Sequence, residues 1–181
     1  MRSDAEAVLH ELEDLTYIQG ELSADNILLR GGVAAGLAYS DHSGVFGPAL
    51  IDAFTLERKC AQYPRIVLHP DLLTRHATSG KRGREVYAKD GLPLTLSADD
   101  GFHFIDYLGN FPREVHSDPS PDREEIARSY MVPRKQHVEA TIAKADVLST
   151  VRTKYVWLAH YHNQVATDIL GAAASDVLID F

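Results

Sequence analysis

The sequence predicts an α+β fold with a helical C-terminal appendage, and two observations carry that reading. Short strand-like segments, glycines and turn signals alternate with helical stretches over residues 1–110. From Arg134 to Leu170 there is neither glycine nor proline, so nothing in that stretch interrupts a helix.

Residues 3–22 read as an amphipathic helix. Ser3 or Asp4 caps it, and Val8, Leu12, Leu15 and Ile18 form an apolar stripe at helical spacing. Gly20 weakens its end. Ile27–Tyr39 reads as strand, in which Gly31, Gly32 and Gly36 mark a bulge or a close backbone approach. Asp41–Gly44 is a turn, and Val45-Phe46 pairs back as a hairpin. Gly47-Pro48 opens a helix, with Leu50, Ala53, Phe54 and Ala61 expected inward. Tyr63-Pro64 closes it. Arg65–His69 is a short buried strand, and Pro70–His76 one or two helical turns.

Residues 77–101 read as a loop-rich excursion with one strand near Glu85–Tyr87, followed by a strand over Phe102–Leu108. Phe111–Arg123 carries three prolines and reads as a linker. A helix from about Asp122 to Met131 stops before Pro133. Val151, Tyr155, Leu158, His162, Val165 and Ile169 form a seam suited to packing along another helix, with a break near Ser149. Gly171 ends the pattern. The expected organisation is an α+β domain over 1–110, a linker over 111–121 and a helical segment over 122–181.

Composition excludes some function classes. With 18 basic and 26 acidic residues the net charge is −8, which disfavours nucleic acid or an anionic membrane as main partner. No apolar run is long enough to span a bilayer. The polar N-terminus is not a signal peptide, and Cys60 is the only cysteine, so a cytoplasmic protein is expected. Cys60 itself reads as a small buried residue near a helix end.

The order Arg30-Gly31-Gly32, Gly36, Val45-Phe46-Gly47-Pro48 and Leu56-Glu57 resembles the central motif of the class III nucleotidyl cyclase catalytic domain. Together with Tyr63-Pro64-Arg65-Ile66 and a late Lys154-Tyr155-x-Trp157-Leu158-x-x-Tyr161-His162-Asn163, it is similar to uncharacterised bacterial cyclase-like proteins. The match covers roughly residues 26–69, with a weaker continuation to Leu108. The resemblance implies a partial, ferredoxin-like antiparallel sheet with helices on one face, and a homodimer, since cyclase sites form between two domains. It implies a phosphorus–oxygen lyase that makes a 3′,5′-cyclic nucleotide from a nucleoside triphosphate, with two Mg²⁺ or Mn²⁺ ions held by aspartates.

Most of that chemistry has no residues here. The aspartate-bearing strands would precede the first helix, so the chain reads as an N-terminally truncated or degenerate relative, to be completed by those strands or by a second copy. Where the family carries an asparagine and an arginine, this chain has Ile51 and Thr55. The remaining catalytic candidates are Asp52 and Arg30, the nucleotide-binding candidates are Gly32, Gly36, Ser43 and Gly47, and no metal ligand is assigned. The expected role is a nucleotide-binding or dimerisation module without turnover and without a cofactor of its own, with an active or divergent cyclase as the alternative. Arg65 and the basic turn Ser79–Arg84 are further phosphate contacts on the binding reading.

Other motifs fall to plainer readings. The glycines at 31, 32 and 36 precede strand, not helix, so they are no dinucleotide loop. His160 and His162 on a helix point apart, which makes His162 a packing residue and not a zinc ligand. His69-Pro70-Asp71 follows a strand and is a chance tripeptide.

Overall fold

The computed structural model describes residues 4–72, 95–110, 123–144 and 148–181. The basic turn at 79–84, the strand expected near residues 85–87 and the linker over 111–121 lie outside them. The chain forms two compact units. One contains residues up to Thr16 and Leu29–Asp106, the other Tyr17–Leu28 and Tyr107–Phe181.

The first helix, α1, spans Asp4–Ala24 and runs straight through Gly20. Its buried positions among the described side chains are Leu12, Thr16, Gln19, Gly20 and Ser23, whereas Ile18 of the expected apolar stripe is exposed. Asn26, in the left-handed region at φ 62°, ends the helix. The Ile27 N–H reaches back to the Leu22 carbonyl at 2.8 Å, which satisfies an otherwise orphaned acceptor.

In the α/β unit the expected long strand over Ile27–Tyr39 is two short ones. β1 is Gly31–Val33 and β2 is Tyr39–Asp41. β2 pairs with β3, Gly44–Phe46, as a separate two-stranded hairpin. Helix α2, Pro48–Lys59, follows with proline in its first turn, and returns the chain to β4, Ile66–Leu68. β4 therefore runs parallel to β1, in the register Gly31–Ile66, Gly32–Val67, Val33–Leu68. The sheet is mixed and not the antiparallel sheet expected, because the connection is a helical crossover instead of a hairpin. β5, Thr95–Ser97, and β6, His103–Ile105, complete it in the order β1-β4-β6-β5. β5 falls where the sequence reads as loop. Its three residues carry too short a pattern to announce a strand, and its pairing to β6 decides the matter.

α2 covers β1 and β4. Leu56, Ala61 and Val67 form the buried contact, with Cys60 and Phe102 packed against it. The inward residues of α2 are Ala49 and Leu56. Leu50 and Phe54, expected inward, are instead exposed.

The helical unit holds α3, Arg123–Ile142, α4, Ser149–Leu170, and a 3₁₀ turn over Gly171–Asp176. α3 continues through Pro133, where the sequence predicts a stop. The neighbouring Arg134 anchors it by donating to the Gly20 carbonyl and the Ser23 hydroxyl, each at 3.1 Å. Tertiary bonds of that kind offset the roughly 3 kcal/mol that an internal proline costs. α4 begins at the expected break, and its seam buries Leu158, His162 and Val165.

Candidate functional site

The motif residues lie in the α/β unit, and the structure gives most of them packing roles. A Cβ on Gly32 would lie 2.4 Å from the Ala53 carbonyl oxygen and 2.7 Å from Leu56 Cβ. The glycine is what lets α2 lie against β1. Arg30, one residue before β1, pairs with Glu57 on α2 at 2.5 Å. The motif's arginine, glycine and leucine–glutamate thus form one helix-on-strand contact. Gly47 at φ 137° caps α2, and a Cβ there would meet the Leu37 carbonyl at 2.7 Å. Gly36 has room for a methyl group at ordinary contact distance from Ala49.

Ser43 is occupied by the hairpin turn. Its N–H donates to Asp41 Oδ1 at 2.8 Å, and its hydroxyl donates to the same oxygen. Those bonds, the hydroxyl first, hold the Asp41 carboxyl below the usual carboxylate range. Asp52 stands exposed on α2. Thr55 donates its hydroxyl back to the Ile51 carbonyl at 2.8 Å, which uses its one donor. Arg65, though cationic, is buried. Its guanidinium pairs with Asp100, donates to the Cys60 carbonyl at 3.3 Å and lies over the rings of Tyr63 and Phe104. Burial raises the Asp100 carboxyl, but hydrogen bonds from Arg65 and the Phe102 N–H, with the Arg65 charge, together outweigh it and hold the group below its ordinary value.

Asp52, Arg30 and Ser43 are therefore engaged separately or exposed singly, and no hydrogen bond or ion pair joins them. Among the described residues no three His, Cys, Asp or Glu side chains gather as metal ligands.

What the unit does present is apolar. Tyr39 and Phe46 face each other across the hairpin with rings stacked at 5.5 Å. Leu37 precedes the hairpin, Val45 lies within it, and Leu50, Ile51 and Phe54 stand on the outer side of α2. These seven residues are 46–72% exposed. At roughly 150–250 Å² for a large side chain, they leave on the order of 600–1,000 Å² of surface open. Sequence reasoning passed over this surface because it assigned Leu50 and Phe54 to the core. The signal was at Ile51, an aliphatic residue at a position outside the inward stripe of Ala49, Ala53 and Leu56.

The late aromatic motif is a clamp in the helical unit. Asn163 donates to the Ile179 carbonyl at 2.9 Å and accepts from its N–H at 2.7 Å. The Tyr161 hydroxyl accepts from the Leu108 N–H at 3.0 Å. His160 is exposed against Phe181, whereas His162 is buried, so the pair shares no ligand face.

The chain matches no family model, no curated protein and no solved structure.

Proposed function

We propose that the chain is a cyclase-like module that acts by self-association and not by nucleotide turnover. The observation that carries this reading is the exposed apolar surface of the hairpin and α2. Its open area is about the ~800 Å² that each partner contributes to a standard interface. A two-stranded hairpin is marginal by itself, and both its outer edges lack a strand partner among the described residues. A second copy supplies the same edge and the same apolar face across a two-fold axis. The engagement of Arg30 by Glu57 and the covering of Gly32 by α2 argue against these positions as a nucleotide cradle.

Methyl NMR on a dilution series tests the interface. The Leu37, Val45, Leu50 and Ile51 methyl signals are expected to shift with protein concentration while those of the buried Val67 and Leu68 stay fixed. Signals at all these positions that ignore concentration, in a sample shown monomeric, would overturn the reading. Incubation with Mn²⁺ and each ribonucleoside triphosphate is expected to yield no cyclic product. A product lost on Asp52→Asn or Arg30→Gln would favour the cyclase alternative.

A further inference from the structure

The helical unit contains a small cavity with a mostly apolar lining and a few polar residues, which the self-association reading does not use. Its volume is about 10 Å³, the space of one water molecule. Leu28, Leu108, Val138 and Leu158 form most of its wall, and Ser23, Asn26, Arg134, His137 and His162 complete the lining. His137 is already joined to the Tyr155 hydroxyl through Nε2 at 3.2 Å.

Two of the lining groups are buried with hydrogen-bonding capacity left over. Arg134 has no carboxylate among its bonded partners. Its guanidinium donates once each to Ser23 Oγ, the Tyr130 carbonyl and the Gly20 carbonyl, which accounts for three of the five N–H groups such a side chain carries. His162 is 1% exposed, and its Nδ1 has no partner. Its Nε2 lies 3.0 Å from the Val177 carbonyl. A carbonyl only accepts, so the ring proton is on Nε2 and Nδ1 is a bare acceptor in the neutral ring. Burial keeps the ring neutral, and its basicity falls to about 4.

The chemistry of the occupant follows. It must fit the space of one water, accept from a guanidinium N–H and donate to an imidazole lone pair. An anion satisfies the first partner and is repelled by the second. A cation fails in the reverse sense. We propose that this cavity is a resident single-water site, in which the water accepts from Arg134 and donates to Nδ1 of His162. The Ser23 hydroxyl offers a third partner, within the two to four that a buried water uses. The water thereby links the end of α1, α3 and α4 inside this unit. It also explains how a buried histidine tolerates an open acceptor, which otherwise costs as much as a lost hydrogen bond.

Water-selective NOE and ROE spectra of the full chain test the site through the methyl groups of Val138 and Leu158. Cross-peaks of the same sign as intramolecular ones, showing a long-lived water, are expected at both. They should be lost in His162→Phe, which removes the acceptor and fills the space. Absence of cross-peaks in the wild-type protein would overturn the proposal, whether or not the variant folds. A crystal grown in bromide supplies the second arm. Ordered, non-anomalous density within hydrogen-bonding distance of both side chains is expected. An anomalous peak there would make it an anion site and sink the proposal.

Discussion

Gly32 shows how a single position explains the motif better than a ligand does. Its missing side chain is filled by the backbone of α2, with the Ala53 carbonyl 2.4 Å from where a Cβ would be. Backbone cannot rotate away, so Gly32→Ala is expected to cost at or above ~3 kcal/mol, the upper part of the range for overpacking. Urea unfolding measures it. A loss under about 0.5 kcal/mol would show that α2 does not depend on this contact. Glu57→Gln, by contrast, breaks a half-exposed pair with Arg30 and is expected to cost no more than about 1 kcal/mol.

His162 makes a second prediction at the same scale. Burial lowers its folded value to about 4, while an unfolded histidine titrates near 6.5. Arg134 and Lys135 add to the lowering, and the Val177 carbonyl and Glu139 oppose it. Because the folded value is the lower one, the unfolded chain binds the proton first as pH falls. The stabilisation is whole above about pH 6.5 and is lost between there and about pH 4, amounting to roughly 3 kcal/mol. Denaturation series at pH 7 and pH 4.5 should show the loss in the wild-type chain and a flatter profile in His162→Phe. Equal slopes would exclude this residue as the cause.

At the scale of elements, the late aromatic motif ties α4 to the end of the chain. Asn163→Ala leaves the N–H and C=O of Ile179 without their side-chain partner. Exchange of the Ile179 amide is expected to quicken about 10-fold, the equivalent of ~1.4 kcal/mol. An unchanged rate would mean that the tail is held by its apolar contacts alone.

Elements also show what was legible in the sequence. α2 announced itself through Gly47-Pro48, and the break before α4 and the His162 seam through periodicity, because long helices repeat their pattern several times. The mixed sheet was not legible. Strands of three residues contain barely one period of alternation, so β5 was hidden and the strand over Ile27–Tyr39 was over-extended. Pro133 misled for another reason. Local preference argues for a stop there, and the bonds of Arg134 to Gly20 and Ser23 override it. Of the candidate site, the glycine spacing was plain in the sequence, but its cause was not. Whether a glycine faces a ligand or a helix backbone is decided by residues far along the chain.

At the scale of the whole molecule, the chain combines a βαβ unit that exposes apolar residues of its hairpin and α2 with a helical unit. Among the described residues no helix is long and apolar enough to cross a membrane. On the proposed reading, the exposed face of the first unit meets a second copy of the chain. Ile51→Lys with Phe54→Lys places two charges in it without touching the α2 residues that pack on β1. That double variant is expected to keep its fold, by circular dichroism, and to lose association.

Sedimentation equilibrium of the full chain and of this double variant tests the account most directly. The account predicts a wild-type mass rising with concentration towards twice 20.0 kDa, and a variant that stays at the monomer mass. A wild-type chain that remains monomeric at the highest concentration reached, or a folded variant that still dimerises, would contradict it.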